Sequence, residues 1–479
     1  MGIKKEMRMF LSVLLLLANL SIINAKVQLP SIIGNNMVLQ RNTEVCLWGK
    51  ASQKARLTIT PSWDRNRYNV TADEQGNWNV KVRTTDAGGP FSLEFNDGEV
   101  TLLQNILLGD VWLCSGQSNM EMPLEGLCGQ PVNGSLNMIM ESQSFPNIRM
   151  YTGQKTPAVT PQFDLKGQWN QSSIESSGKF SAIGYFYARE LHKVLQIPIG
   201  IIHISWGAAS IESWMGAQSL KLYPDIDLSN LKTDNAYPQK VATLLHNGML
   251  RPVSNYSIKG ILWYQGETNI PNYAQYDYLF PALVDEWRNL FKQPDLPFYY
   301  VQIAPYIYSG KEKEESAFLR ESQLKSAMVI PHSGMVVTMD IGELMCIHPA
   351  EKEKVGQRLA YQALAKTYGF KNFPCDGPIL KSMAIEKNKI TLTFINAEMG
   401  LWPMHTDLSG FQIAGEDGRF VQATAVIPGF GDKVEVWSDN IANPMHIRYC
   451  FKNHEQGSLF NAYGLPASSF RTDKLAPIK

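Results

Sequence analysis

The chain has 479 residues, more than one ordinary hydrophobic core accommodates, so two or three domains are expected. It is 44% hydrophobic and carries 44 basic against 44 acidic side chains. That globular balance lacks the basic excess that nucleic acid or an acidic membrane surface would demand of a partner.

The first residues read as an export leader. Lys4, Lys5 and Arg8 precede an apolar stretch over 9–23, and Ala25 supplies a small residue before a cut that would start the mature chain near Lys26. The stretch is too short for a membrane span, and no later one approaches the roughly twenty apolar residues required. The expectation is a protein exported to the periplasm or beyond the cell. The six cysteines are scattered with no Cys-x-x-Cys pair, so buried thiols are expected, with a Cys128–Cys346 bridge as the alternative.

From 26 to 105, short apolar runs at 43–48, 56–60, 78–82 and 91–95 alternate with Gly, Pro, Asn and Asp clusters, the pattern of a small β-sandwich. Trp48, Trp63 and Trp78 serve its core or a sugar-stacking surface. Between 106 and 370 strands alternate with helices. The pattern predicts strands at 106–114, 199–206, 258–264, 298–303 and 334–339, and helices at 181–195, 244–250, 276–291, 315–329 and 349–368. Pro349 in the first turn is a good start for the last helix. Such alternation implies an α/β domain with a mostly parallel sheet and helices on both faces. From 371 to 479 the β pattern returns, at 389–394, 410–413, 434–437 and 446–451.

The run 106–114 ends abruptly in Ser115-Gly116-Gln117-Ser118-Asn119. A serine just past the C-terminal end of a central strand sits where open α/β sheets hold their ligands. The stretch is not a Gly-x-Ser-x-Gly elbow, because Met120 stands at the second glycine. Alone it marks only a turn. Acyl transfer to water needs a nucleophile, a base and donors for the oxyanion, and later segments supply candidates for each. Ser118 is the candidate nucleophile. His348, on the loop after the last strand, is the candidate base or, on position alone, a helix-capping residue. The other histidines fit less well: His203 lies in a strand, His192 on a helix, His405, His446 and His454 in the β tail, and His246 and His332 are weaker alternatives. Gly207, ending the strand 199–206, is a candidate oxyanion donor because no Cβ shields its N–H. The Ser118 N–H and a side-chain amide from Gln265 or Asn269 are the others, and Glu267 in the same loop orients neighbours or touches substrate. All these positions fall at strand C-termini or on the loops that follow, which places them in one cleft.

Taken in order, Gly116-Gln117-Ser118-Asn119-Met120, Gly207 with Ile211-Glu212-Ser213-Trp214, Trp263-Tyr264-Gln265-Gly266-Glu267-Thr268-Asn269 and Ile347-His348-Pro349 resemble the bacterial sialate O-acetylesterases of the SGNH hydrolase superfamily. Asn36-Met37-Val38-Leu39-Gln40-Arg41 and the stretch from Leu465 to Asp473 extend the resemblance over nearly the whole mature chain. It implies a three-layer α/β/α domain over 106–370, flanked by an N-terminal β domain over 26–105 and a C-terminal β domain over 371–479. It also implies removal of acetyl groups from carbohydrate hydroxyls with neither metal nor cofactor. The implied partner is an O-acetylated glycan or free sialic acid, with acetylated xylan as the alternative. By matching positions Ser118 is the nucleophile, Gly207 a donor and His348 the base, with Gln265 preferred to Asn269. One departure stands out. The superfamily's acid normally lies two or three residues before the histidine, where this chain has Met345 and Cys346. Glu343 is the expected substitute and Asp340 the alternative, unless a backbone carbonyl serves in a Ser–His dyad. A decayed scaffold that only binds glycans is the rival reading. The carboxylate of a sialic acid would favour a nearby arginine, for which Arg251 is the candidate.

Overall fold

The structure, a computed structural model, describes residues 26–404 and 406–475. The leader expected over 1–25 and His405 lie outside the described residues. Six strands open the described chain: β1 (Val38–Gln40), β2 (Glu44–Lys50), β3 (Arg56–Pro61), β4 (Tyr68–Thr71), β5 (Asn77–Arg83) and β6 (Gly88–Asn96). They cover the four runs read from the sequence. The next strand, β7 (Val100–Gly116), organises the molecule. Its first half pairs antiparallel with β6 and parallel with β1, and its second half is the middle strand of the central parallel sheet. The division at 105/106 therefore falls inside one strand. Asn105 lies there with φ +58, a left-handed residue within the stretch that pairs with β6, and the pairing with β10 begins five residues later at Asp110. Every residue from Ile106 to Gly116 is buried, as a central parallel strand covered on both faces must be.

The central sheet adds β8 (Ile148–Gly153), β9 (Gly167–Gln171), β10 (Ile199–Ser205), β11 (Gly260–Tyr264), β12 (Phe298–Val301) and β13 (Ser333–Val336). Their order is β13-β12-β11-β7-β10-β8-β9, parallel throughout except for β9. The helices that bear on the site are α1 (Ser118–Glu121), α2 (Ala182–Leu195), α3 (Tyr273–Leu290), α4 (Glu315–Val329) and α5 (Lys352–Lys366). The period-2 alternation of β7 sorts the two layers. Trp112 and Cys114 pack with Ile183, Phe186, Leu359 and Ala363 of α2 and α5. Val111 and Leu113 belong to the opposite core with Leu279, Phe280, Leu283 and Trp287 of α3. After β7 the chain builds β8 and β10 on one side, then crosses to β11, β12 and β13 on the other. Ser118 sits at that switch point, where strand-end loops part and leave a crevice.

Segment 244–250 forms a π-helical turn over His246–Leu250 rather than an α-helix. The C-terminal region holds two four-stranded antiparallel sheets. It is tied to α4 by Arg448–Glu314 at 2.5 Å, Arg471–Glu321 at 3.0 Å, and the fully buried Arg320, which donates to Ser469 Oγ and Lys452 O. No helix among the described residues is long and apolar enough to cross a membrane. All six cysteines are free. Cys346 donates to the His348 carbonyl oxygen at 3.2 Å and Cys128 is exposed, so the alternative bridge is not made.

Candidate active site

The turn that presents Ser118 depends on Gly116. Its φ is +137, and a Cβ there would fall 2.1 Å from the Tyr264 carbonyl oxygen, so no side chain is admissible. Gln117 then fastens the turn to the end of β11. Its N–H donates to Tyr264 O at 2.9 Å, and its Oε1 accepts from Gly266 N at 3.2 Å and Thr268 N at 3.4 Å. Ser118 follows, half-buried, as the first residue of α1. Asn119 is fully engaged. Its Nδ2 donates to Glu267 Oε1 at 2.6 Å and to Ile347 O at 3.0 Å, and its Oδ1 accepts from Lys352 Nζ at 2.6 Å. One buried amide thus joins the serine turn, the loop after β11 and the loop that carries His348.

His348 Nδ1–H donates to Gln130 Oε1 at 2.5 Å. Neither carboxylate expected on the ring is there. Glu343 Oε1 accepts the backbone N–H of Ala350 at 2.7 Å, closing the loop that bears the histidine. Asp340 is held by both terminal nitrogens of Arg358, at 2.8 and 2.7 Å, across the start of that loop. Burial, helped by the nearby Lys352 charge, pushes the His348 pKa down to about 4, so the imidazole is neutral at ordinary pH. Lys352 is itself buried on the inner face of α5. Burial pushes its ammonium down to about 7, against the pull of Glu267, Cys346 and Glu343. The Glu267 carboxyl is raised above the usual carboxylate range by burial, despite the hydrogen bond from Asn119.

Gly207 lies directly across from the serine: a Cβ on it would be 3.5 Å from Ser118 Cβ. Its N–H donates to Glu121 Oε2 at 2.5 Å, and Glu121 Oε1 receives Lys155 Nζ at 2.5 Å. Lys155 in turn stands 5.9 Å from the Trp206 ring centre. The segment after Gly207 is anchored by Trp214, which packs edge-on against Trp263 and Trp287 at 6.3 Å each, contacts worth about 0.5–1.5 kcal/mol apiece beyond burial. The side-chain amides expected as donors are occupied. Gln265, 0% exposed, gives its N–H groups to Ala209 O and Asn269 Oδ1 and takes Tyr276 Oη–H on its oxygen. Asn269 Nδ2 is spent on both oxygens of Glu212, at 3.1 Å. Both amides brace the Gly207 segment instead of facing the crevice. Glu267 acts on Asn119. Arg251 is exposed on a groove with Trp48, Phe163 and Lys292, away from this cluster.

Five residues of this cluster were given no role from the sequence: Asn119, Glu121, Gln130, Lys155 and Lys352. Asn119 directly follows the serine. Lys352 shares the buried helical spacing of Val355, Leu359 and Ala363, where a lysine is anomalous. Gln130 and Lys155 sit on irregular segments without periodicity and carry no such signal.

A serine on a glycine-enforced strand-end turn, a neutral histidine with Nδ1 engaged, and a backbone N–H beside the serine are the equipment of an acyl-transfer enzyme. Comparison with known proteins agrees. The family described as carbohydrate esterase, sialic acid-specific acetylesterase, matches residues 108–365. The sialate O-acetylesterase of Pongo abelii is 29% identical over 401 residues, 76% of each chain, and that of Homo sapiens is 28% identical over the same share. The crystal structure of a carbohydrate acetylesterase from Xanthomonas citri superposes with a TM-score of 0.86 at 35% identity, covering 94% of this chain and all of that one. The chain belongs to the sialic acid-specific acetylesterase family of carbohydrate esterases.

Proposed function

We propose that the protein removes O-acetyl groups from sialic acids by a serine acyl-enzyme mechanism. His348 Nε2 takes the Ser118 hydroxyl proton as Oγ attacks the acetyl carbonyl carbon. The N–H groups of Gly207 and Ser118 receive the oxyanion once Glu121 has released Gly207. The tetrahedral adduct collapses, the sugar oxygen leaves with the proton from Nε2, and Ser118 carries the acetyl group. Water, deprotonated by His348, then attacks the acetyl carbon and frees acetate and Ser118. The observation that carries this reading is the clasp of Asn119, which binds the serine turn and the histidine loop into one rigid unit. For the sugar, support comes from the family and from Lys155 beside Trp206, a cation and an aromatic face at the edge of the site suited to a carboxylated sugar. Export follows from Lys4, Lys5, Arg8 and the apolar stretch behind them as part of the same proposal, and an N-terminal sequence beginning near Lys26 in the secreted fraction would support it.

The test is acetate release from O-acetylated sialic acid and from acetylated xylan in parallel. Release from the sialic acid that is lost in Ser118→Ala supports both mechanism and sugar. Release only from xylan overturns the sugar, and undiminished release by Ser118→Ala overturns the mechanism.

A further inference from the structure

We propose that Gln130 is the positioning residue for His348, doing with a neutral amide oxygen what a carboxylate does in a Ser–His–Asp triad. The proposal rests on the serine-esterase reading of Ser118 and His348. His348 Nδ1 lies 2.5 Å from Gln130 Oε1. An amide oxygen only accepts, so Nδ1 carries the proton and Nε2 presents its lone pair, the tautomer a general base needs. The acidic candidates are committed elsewhere: Glu343 to the Ala350 N–H, Asp340 to Arg358 and Glu267 to Asn119.

The segment carrying Gln130 is built to hold it in place. Leu127 and Gln130 exchange both backbone hydrogen bonds at 2.9 Å, closing a tight turn. Three residues on, Asn133 N–H donates to Ala350 O at 3.0 Å and its side chain donates to Glu351 Oε1 at 2.6 Å. The turn is therefore stitched to the two residues that follow His348-Pro349, and amide and imidazole keep register with each other. Rigid support of this kind is what a positioning group requires.

A neutral partner has a consequence a carboxylate would not. It fixes the tautomer but adds no negative charge to stabilise the imidazolium that forms as the serine attacks. The ionisable groups near the ring and its lysine come from three elements. Lys352 approaches the ring from the start of α5, while the Glu343 carboxyl and the Cys346 thiol on the histidine's own loop and Glu267 behind Asn119 act on Lys352. Of these Lys352 acts directly on the ring, and it opposes the positive charge. The imidazole thus stays unprotonated well into the acid range.

The experiment is the pH profile of kcat and KM on 4-nitrophenyl acetate for the wild type, Gln130→Ala and Gln130→Glu, with Ser118→Ala as control. Gln130→Ala should lower kcat by about a hundredfold or more, because the ring loses its tautomer and orientation, with KM little changed. Gln130→Glu should recover most of that loss and move the acid limb of kcat/KM upward by at least one pH unit, since a carboxylate stabilises the protonated ring. A purely structural role would not move that limb. Wild-type kcat in Gln130→Ala, or an unmoved acid limb in an active Gln130→Glu, overturns the assignment. Retained activity in Ser118→Ala would instead overturn the esterase reading beneath it.

Discussion

Asn119 and Glu121 follow Ser118 in the proposed catalytic turn and pull on it in opposite senses. Asn119 is 1% exposed and makes hydrogen bonds to a carboxylate, a carbonyl and an ammonium. Asn119→Ala would leave Glu267 and Lys352 buried without those partners, so a stability loss of about 2–4 kcal/mol is expected by urea unfolding. With the clasp gone, kcat should fall tenfold or more in the molecules that still fold. Glu121 works the other way. Its carboxylate occupies the Gly207 N–H at 2.5 Å and sets a negative charge where an oxyanion must form. Glu121→Ala should therefore bind an anionic phosphonate mimic of the tetrahedral intermediate several-fold more tightly by inhibition kinetics. Weaker binding would mean that Glu121 assists the site. Ser118, Gly207 and His348 could be nominated from the sequence because each is punctuated by glycine, proline or a strand end. The sequence could not show where side chains turn. Gln265 and Asn269 lie on the right loop but face inward, and Asp340 and Glu343 find their partners in Arg358 and the Ala350 N–H, which spacing does not reveal. Gln130 reaches His348 from 218 residues away on a loop without periodicity.

At the scale of elements, the catalytic geometry hangs on how loops are held to strand ends. The Asp340–Arg358 pair joins the segment after β13 to α5, and both side chains are about nine-tenths buried. Breaking one partner of such a pair costs about 3–5 kcal/mol. Asp340→Asn should consequently lower the melting temperature while leaving kcat per folded molecule close to wild type. A selective loss of kcat with unchanged stability would return Asp340 to the reaction. Most of the helices and strands were readable from periodicity, with 315–329 matching α4 end to end, whereas β8 and β9 were not among the predicted strands and 244–250 is not an α-helix. The last helix starts at Lys352 rather than Pro349, because 349–351 form the turn that Glu343 caps. The strand from 106 was read too short, since its first part, Val100–Asn105, is exposed at alternate positions and pairs with the N-terminal strand β6 instead.

Over the whole molecule, one strand shared by the N-terminal and central sheets and one buried arginine bridging to the C-terminal sheets couple the parts into a common unit. Such coupling makes buried ionisable groups matter globally. His203 in β10 is buried, both ring nitrogens lack a partner, and burial with some help from Lys155 pushes its pKa from 6.5 down to about 4. Between those values the unfolded chain takes up a proton that the native state refuses, so stability falls as pH drops from 6.5 towards 4, by roughly 3 kcal/mol from this residue. His203→Leu should flatten that part of the melting-temperature profile. A profile with the wild-type slope would show that the acid sensitivity arises elsewhere.

The most direct test of the central claim is to locate the covalent adduct formed with an organophosphonate by peptide mass spectrometry. Ser118 should carry the label, and labelling should be abolished in Ser118→Ala and slowed at least a hundredfold in His348→Ala, since only an activated hydroxyl reacts. A label on another residue, or equal labelling in Ser118→Ala, would contradict the account.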